Sequence, residues 1–151
     1  MRFLPFAPFL LTIALTACAS MHDAARFPAA QAAVDRVAAR HPDLRRLTLH
    51  AVPSGKTECM QLASTEAARR GKPSDREDMT ALRTGNEIVL DEPGAVDVTV
   101  PILLSGGAPT AVAGVTVNTS PANSRDTTAD SARAIARELE SELRNADKPL
   151  W

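Results

Sequence analysis

Glu87 to Asn118, EIVLDEPGAVDVTVPILLSGGAPTAVAGVTVN, is the stretch that most limits what this chain can fold into. Val96, Val98, Val100 and Ile102 alternate with other residues at period two, the signature of a pleated strand. Pro93-Gly94 supplies a tight turn before them, since proline presets φ at the first corner and glycine tolerates positive φ at the second. Ser105-Gly106-Gly107-Ala108-Pro109 supplies a looser turn after them. The pattern predicts a three-stranded meander over 87–92, 95–104 and 111–118. With simple loop closure, Val98, Val100 and Ile102 oppose Val117, Val115 and Ala113, so one face is a continuous β-branched surface. The other face mixes Ile88, Leu90, Leu103 and Val112 with Asp97, Thr99, Thr116 and Asn118. Neither reads as a water face, so both are expected to be covered.

Before the meander, Pro28 opens an alanine-rich helix over Ala29–His41, with Ala30, Val34, Val37 and His41 near helical spacing and Pro42 as its stop. Leu44–Val52 and Thr57–Ser64 read as a hairpin turning at Pro53-Ser54-Gly55-Lys56. Thr65 to Pro73 is an irregular basic crossover. Ser74-Asp75-Arg76-Glu77 matches a capping box, which starts a short helix with Met79 and Leu82 inward and Gly85 as its stop. A last helix begins near Thr127, with Ala132, Ile135, Ala136, Leu139 and Leu143 as its apolar stripe. The fold class that follows is α+β: five antiparallel strands with N-terminal, crossover and C-terminal helices.

The 151 residues suit one domain. A net charge of −1 without long runs of one sign gives no electrostatic case for nucleic acid. Aromatic residues are 3% of the chain and three of the four Phe lie at positions 3, 6 and 9, so stacking platforms for bases or sugars are not expected. Ser54-Gly55-Lys56-Thr57 is not a phosphate loop, because His50 stands where the motif needs glycine. No serine is flanked by glycines at the spacing of a nucleophile elbow. No His-x-x-x-His or Cys-x-x-Cys spacing encodes a zinc site. The chain is therefore read as a non-enzyme without metal or cofactor.

At the N-terminus, Arg2 precedes an apolar run, Phe3 to Ala17, too short to span a bilayer and laid out like a secretory signal. It ends Leu15-Thr16-Ala17-Cys18, which resembles the lipobox of bacterial lipoproteins. The resemblance implies cleavage before Cys18, acylation of that residue, and two or more chains that anchor stably. Ala19 after it resembles the pattern sorted to the outer membrane. The expected organisation is a signal peptide over 1–17, a lipidated tether over 18–28, one domain over 29–145 and a tail over 146–151. The expected location is the periplasmic side of a bacterial membrane. Cys59 is then the lone remaining thiol.

Five antiparallel strands with an inserted helical segment are PAS-like. The initial helix, and Arg70-Gly71-Lys72-Pro73-Ser74-Asp75 leading to Leu82-Arg83-Thr84-Gly85 and a strand, resemble Cache-type extracytoplasmic sensor domains. That resemblance covers about Ala29 to Asn118 and implies a small-ligand pocket between sheet and crossover. The sequence departs from it in lacking the aromatic residues that close amine or amino-acid pockets. It also shows neither flanking transmembrane helices nor an output domain, so any signal is expected to pass to an envelope protein partner.

The candidate ligand-binding residues follow from the hairpin and the meander. A turn at Ser54-Gly55 sets Val52 opposite Thr57 and His50 opposite Cys59, on one face with Thr48 and Gln61, while Leu47, Leu49, Met60 and Leu62 share the other. Asp97 and Thr99 interrupt an otherwise apolar sheet. His50, Cys59, Gln61, Asp97 and Thr99 are thus the expected pocket residues for a small molecule. Arg69, Arg70 and Lys72 read as a solvated crossover, with an anion site as the sharper alternative. The rival reading of the whole is a structural or assembly lipoprotein with a solid core that binds another envelope protein.

Overall fold

A computed structural model describes residues 27–146 and 151. The expected signal peptide, the expected lipidation site Cys18, most of the expected tether and residues 147–150 of the expected tail lie outside the described residues. The first helix, α1, runs Pro28–Ala38. Proline suits its first turn, where an N–H would have no partner. It ends three residues earlier than expected because the chain tightens, Arg40 N–H bonding Val37 O and His41 N–H bonding Ala38 O. Two strands follow, β1 (Leu44–Ala51) and β2 (Met60–Ser64). A crossover with a single 3₁₀ turn at Ala67–Arg69 leads to α2 (Arg76–Thr84). Next come β3 (Ile88–Glu92), β4 (Ala95–Ile102) and β5 (Ala111–Asn118), then α3 (Arg125–Arg144).

The strands form one antiparallel sheet in the order β2-β1-β5-β4-β3. The α+β class and all five strands agree with the sequence pattern. The closure of β1 on β5 places the last strand at the centre, buried along seven of its eight residues. Gly94, at φ 71°, makes the β3–β4 turn. The outer edge of β2 is covered by the crossover: Gln61 N–H bonds Lys72 O (2.9 Å), Gly71 N–H bonds Gln61 O (2.7 Å) and Ser74 N–H bonds Cys59 O (3.1 Å).

Two registers differ from expectation. Val98 faces Val115 and Val96 faces Val117, two residues from the simple closure, because β4 stops at Ile102 and Thr110 N–H bonds Ile102 O. A slip of two keeps every side chain on its own face. In the first hairpin His50 faces Gln61, not Cys59. The chain leaves β1 at Ala51, turns through a Lys56 N–H bond to Pro53 O (2.9 Å), and pairs again only at Met60. The register then shifts between Leu49 and His50, where Leu49 faces Ala63 and Leu62 is the extra residue of a bulge. A direct His50–Cys59 pocket wall is therefore not formed.

One face packs on α1 and α3. Val34, Val37, Leu47, Leu49, Val98, Ile102, Val115, Leu139 and Leu143 are all 2% exposed or less there. The predicted stripe of α3 is buried throughout, and the helix starts at Ser124, whose hydroxyl accepts the Thr127 N–H. His41, past α1, lies 3.1 Å from the Glu138 carboxylate of α3. The other face is covered by α2, over β4 and β5. Here the helix is rotated by one residue from the sequence reading. Asp75, not Ser74, is the N-cap, and the Asp78 carboxylate accepts the Asp75 N–H at 3.0 Å. Asp78 and Ala81 turn inward in consequence, while Met79 is 42% exposed.

Candidate functional site: a polar cavity beneath α2

On the face under α2, period-two alternation brings Arg46, Thr48 and His50 of β1 beside Gly114 and Thr116 of β5 and Asp97 and Thr99 of β4. A cavity of about 220 Å³ opens here between the sheet, Arg69 of the crossover and the first residues of α2. It is smaller than a drug-sized pocket of roughly 300 Å³, and holds roughly seven waters' worth of space.

At one end the Arg46 guanidinium bonds Glu92 at 3.0 Å and lies 3.5 Å from Asp97. The Thr116 hydroxyl donates to the same Asp97 oxygen at 2.5 Å. Burial alone would lower the Arg46 pKa. The hydrogen bond to Glu92 and the charges of Asp97 and Glu92 outweigh it, and the net direction is upward.

Toward the crossover the His50 ring meets two partners through one nitrogen. Nδ1 lies 3.1 Å from the Asp78 carboxylate and 3.0 Å from the Ser74 hydroxyl, which itself donates to Cys59 Sγ at 3.2 Å. Burial, with Arg69 and Arg46 nearby, pushes the imidazole down to about 3. Burial also pushes the Asp78 carboxyl up to about 7. The Asp75 N–H opposes that rise, and the charges of Glu77, Asp75 and Asp97 add to it. The stable neutral arrangement is an uncharged ring beside a carboxyl that readily keeps its proton. Burial raises the Cys59 thiol as well, and the Ser74 hydrogen bond offsets only part of it, so this sulfur stays protonated. The second ring nitrogen, Nε2, has no hydrogen-bond partner among the described residues. It approaches β5 where there is no side chain: a Cβ on Gly114 would stand 3.4 Å from it.

Of the residues expected from sequence, His50 and Asp97 line the cavity. Thr99 is buried on the same face without lining it. Cys59 and Gln61 sit behind it, at the seam with the crossover, where the Gln61 amide donates to Pro73 O at 3.2 Å. Arg69, read as solvated, borders the cavity, and its guanidinium bonds Glu66 at 2.8 Å. Arg46, Asp78 and Gly114 were missed. Arg46 shares the parity of Thr48 and His50, so extending that alternation back by two residues finds it. Asp78 is found by testing the capping pattern one residue later. Among the described residues no group of three or more His, Cys, Asp or Glu side chains is placed to hold a metal ion.

No family model and no curated protein matches the sequence. In fold the chain is similar to a GAF sensor protein from Burkholderia vietnamiensis, at 18% identity and a TM-score of 0.52 over 78% of this chain and 76% of that one. It is also similar to the GAF domain of the Acinetobacter phosphoenolpyruvate-protein phosphotransferase, at 13% identity and 0.52 over 74% and 75%. A type II free methionine-R-sulfoxide reductase from Thermoplasma acidophilum matches at 13% identity and 0.49 over 79% and 92%. The fold is thus GAF-like, within the PAS-like fold class.

Proposed function

We propose that this chain is a lipid-anchored extracytoplasmic domain that binds a small polar molecule beneath α2 and reports its presence through an envelope protein partner. The observation that carries the binding reading is the cavity itself. A sheet face covered by α2 and the crossover is left hollow over Arg46, His50 and Asp97, where a structural domain would be packed solid. Similarity in fold to a GAF sensor protein supports it. The rival assembly reading asks for a broad exposed apolar patch. Among the described residues the exposed large apolar side chains are Val52, Met79 and Leu90, one each from a loop, a helix and a strand. A binding role also fits the chemistry, since the Cys59 thiol is held protonated and the Ser74 hydroxyl shares Nδ1 with Asp78.

The anchor rests on Phe3–Ala17 and the Leu15-Thr16-Ala17-Cys18 sequence. Cys18→Ser should give an unacylated protein that leaves the membrane fraction or stalls before cleavage, and an acylated, membrane-bound variant would end that part of the reading. For the cavity, native mass spectrometry of the full chain from its own host should show a retained small molecule. Gly114→Leu should abolish it by filling the space beside His50. A wild-type protein that arrives without added mass, and takes up none from a host extract, overturns the binding reading.

A further inference from the structure

The charges around the cavity do not balance. Asp75, Glu77, Asp78, Glu92 and Asp97 face two guanidiniums, Arg46 and Arg69. Arg46 is already held by Glu92 and Asp97, and Arg69 by Glu66. Asp75 and Glu77 have no cationic partner among the described residues, and Asp78 has only the His50 ring. What the cavity leaves uncompensated is negative.

His50 adds a second, independent observation. It is 4% exposed, yet Nε2 has no partner among the described residues and stands beside the bare backbone of Gly114 at the cavity wall. A neutral imidazole carries one proton, and which nitrogen holds it is set by the bond the other makes. When Asp78 is ionised, its carboxylate accepts from Nδ1–H, so Nε2 presents a lone pair to the cavity. When Asp78 is protonated, its O–H can donate to Nδ1 in place of the Nδ1–H bonds to Asp78 and Ser74, and Nε2 then carries the hydrogen. One proton on Asp78 therefore converts the cavity-facing nitrogen from acceptor to donor.

We infer that the ligand of this cavity is a small organic cation with N–H donors, admitted when ionised Asp78 holds His50 in the tautomer whose Nε2 accepts. The inference rests on the binding reading above and names the ligand class for the same site. Uptake expels the Asp78 proton, so binding is linked to pH. The other charged groups that face the His50–Asp78 pair are Arg46 on β1, Glu92 on β3, Asp97 on β4, Arg69 in the crossover, and Asp75 and Glu77 at the start of α2. Arg46, Glu92 and Asp97 are paired with one another, whereas Asp75 and Glu77 have no cationic partner among the described residues.

Two readouts test this on the full chain in detergent. Long-range nitrogen-15 correlations of the ligand-free His50 ring should show Nε2 protonated at pH 6 and unprotonated at pH 8, and Asp78→Asn should hold one tautomer throughout. A wild-type ring that keeps one tautomer, or becomes imidazolium, overturns the inference. Ethylammonium, charged at both pH values, should shift cavity resonances and bind about tenfold tighter at pH 8 than at pH 6, for one proton released near 7. Acetate should not bind. Acetate binding in place of ethylammonium overturns the inference and leaves the cavity reading standing. If neither probe binds, the inference also falls, and the native mass measurement decides the cavity reading separately.

Discussion

Under α1 and α3, strands β1, β4 and β5 present Leu47, Leu49, Val98 and Val115. Under α2 the same strands present Thr48, His50, Asp97 and Thr116, buried almost as deeply. Depth therefore does not distinguish the two faces, and the nature of the contacts does. The first is held mainly by apolar area, each buried side chain contributing roughly 1.5–3 kcal/mol, with the Gln31 amide of α1 bonded to the Ser64 backbone of β2 at its border. The second is held by bonds between side chains: Thr48 to Ser64 at 3.1 Å, Thr116 to Asp97, His50 to Ser74 and Asp78. Such groups cost free energy when any partner is missing, so they define positions without adding much stability. A face built that way can keep a cavity open, which a close-packed one does not.

The contrast can be broken most directly from the apolar side. Leu139→Asp puts a charge where no atom is exposed, and should cost about 4 kcal/mol or more, read as a collapse of the urea midpoint. An unchanged midpoint would show that α3 does not hold the sheet. On the polar side, Asp97→Ala strands the Thr116 hydroxyl and one arm of Arg46, and should cost about 2–3 kcal/mol because Arg46 keeps Glu92. A cost equal to that of Leu139→Asp would mean the two faces carry the fold alike.

A smaller effect sharpens the comparison through pH. Folding raises Asp78 from 3.8 to about 7, so its contribution is present below pH 4 and lost as pH rises toward 7. Folding lowers His50 from 6.5 to about 3, so its contribution is present above pH 6.5 and lost as pH falls. Between about pH 4 and 6.5 the folded and unfolded pair each hold one proton, and the two dependences cancel. Each single substitution should unmask its partner. His50→Gln should lose stability as pH rises through that window and Asp78→Asn as pH falls, each by about 1 kcal/mol per pH unit in urea titrations. Equal slopes of one sign would contradict the pairing. The smallest effect belongs to the rim: Arg40→Ala removes exposed pairs with Glu138 and Glu142, costs less than about 1 kcal/mol, and should vanish in high salt.

Strand identity was legible in the sequence because period-two parity survives errors of loop closure. Both misjudged hairpins slipped by an even number near their turns, so Val98 stayed on the apolar face and His50 on the polar one. Opposition across the strands was not legible, since the bulge at Leu62 and the late start of β2 depend on where the crossover bonds, not on local pattern. The pairing of β1 with β5 joins residues 60 to 73 positions apart and leaves no local trace. The site was half legible for the same reason. His50 and Asp97 announce themselves as polar residues in apolar strands. Asp78 looks like any first-turn acid until the N-cap is placed at Asp75, and Gly114 matters only once β5 lies against His50.

The covering of β2 by residues 71–74 also decides how copies of this chain can assemble. A sheet that grows by adding strands needs two free edges on every copy, one to receive and one to offer. Here one is sealed by its own crossover, and β3 alone is open among the described strands, five residues long and ending in Asp91 and Glu92. Strand addition at β3 can join two molecules edge to edge, and the pair then has no free edge left. Its stoichiometry stops at two, the arithmetic of a closed dimer and not of a fibre.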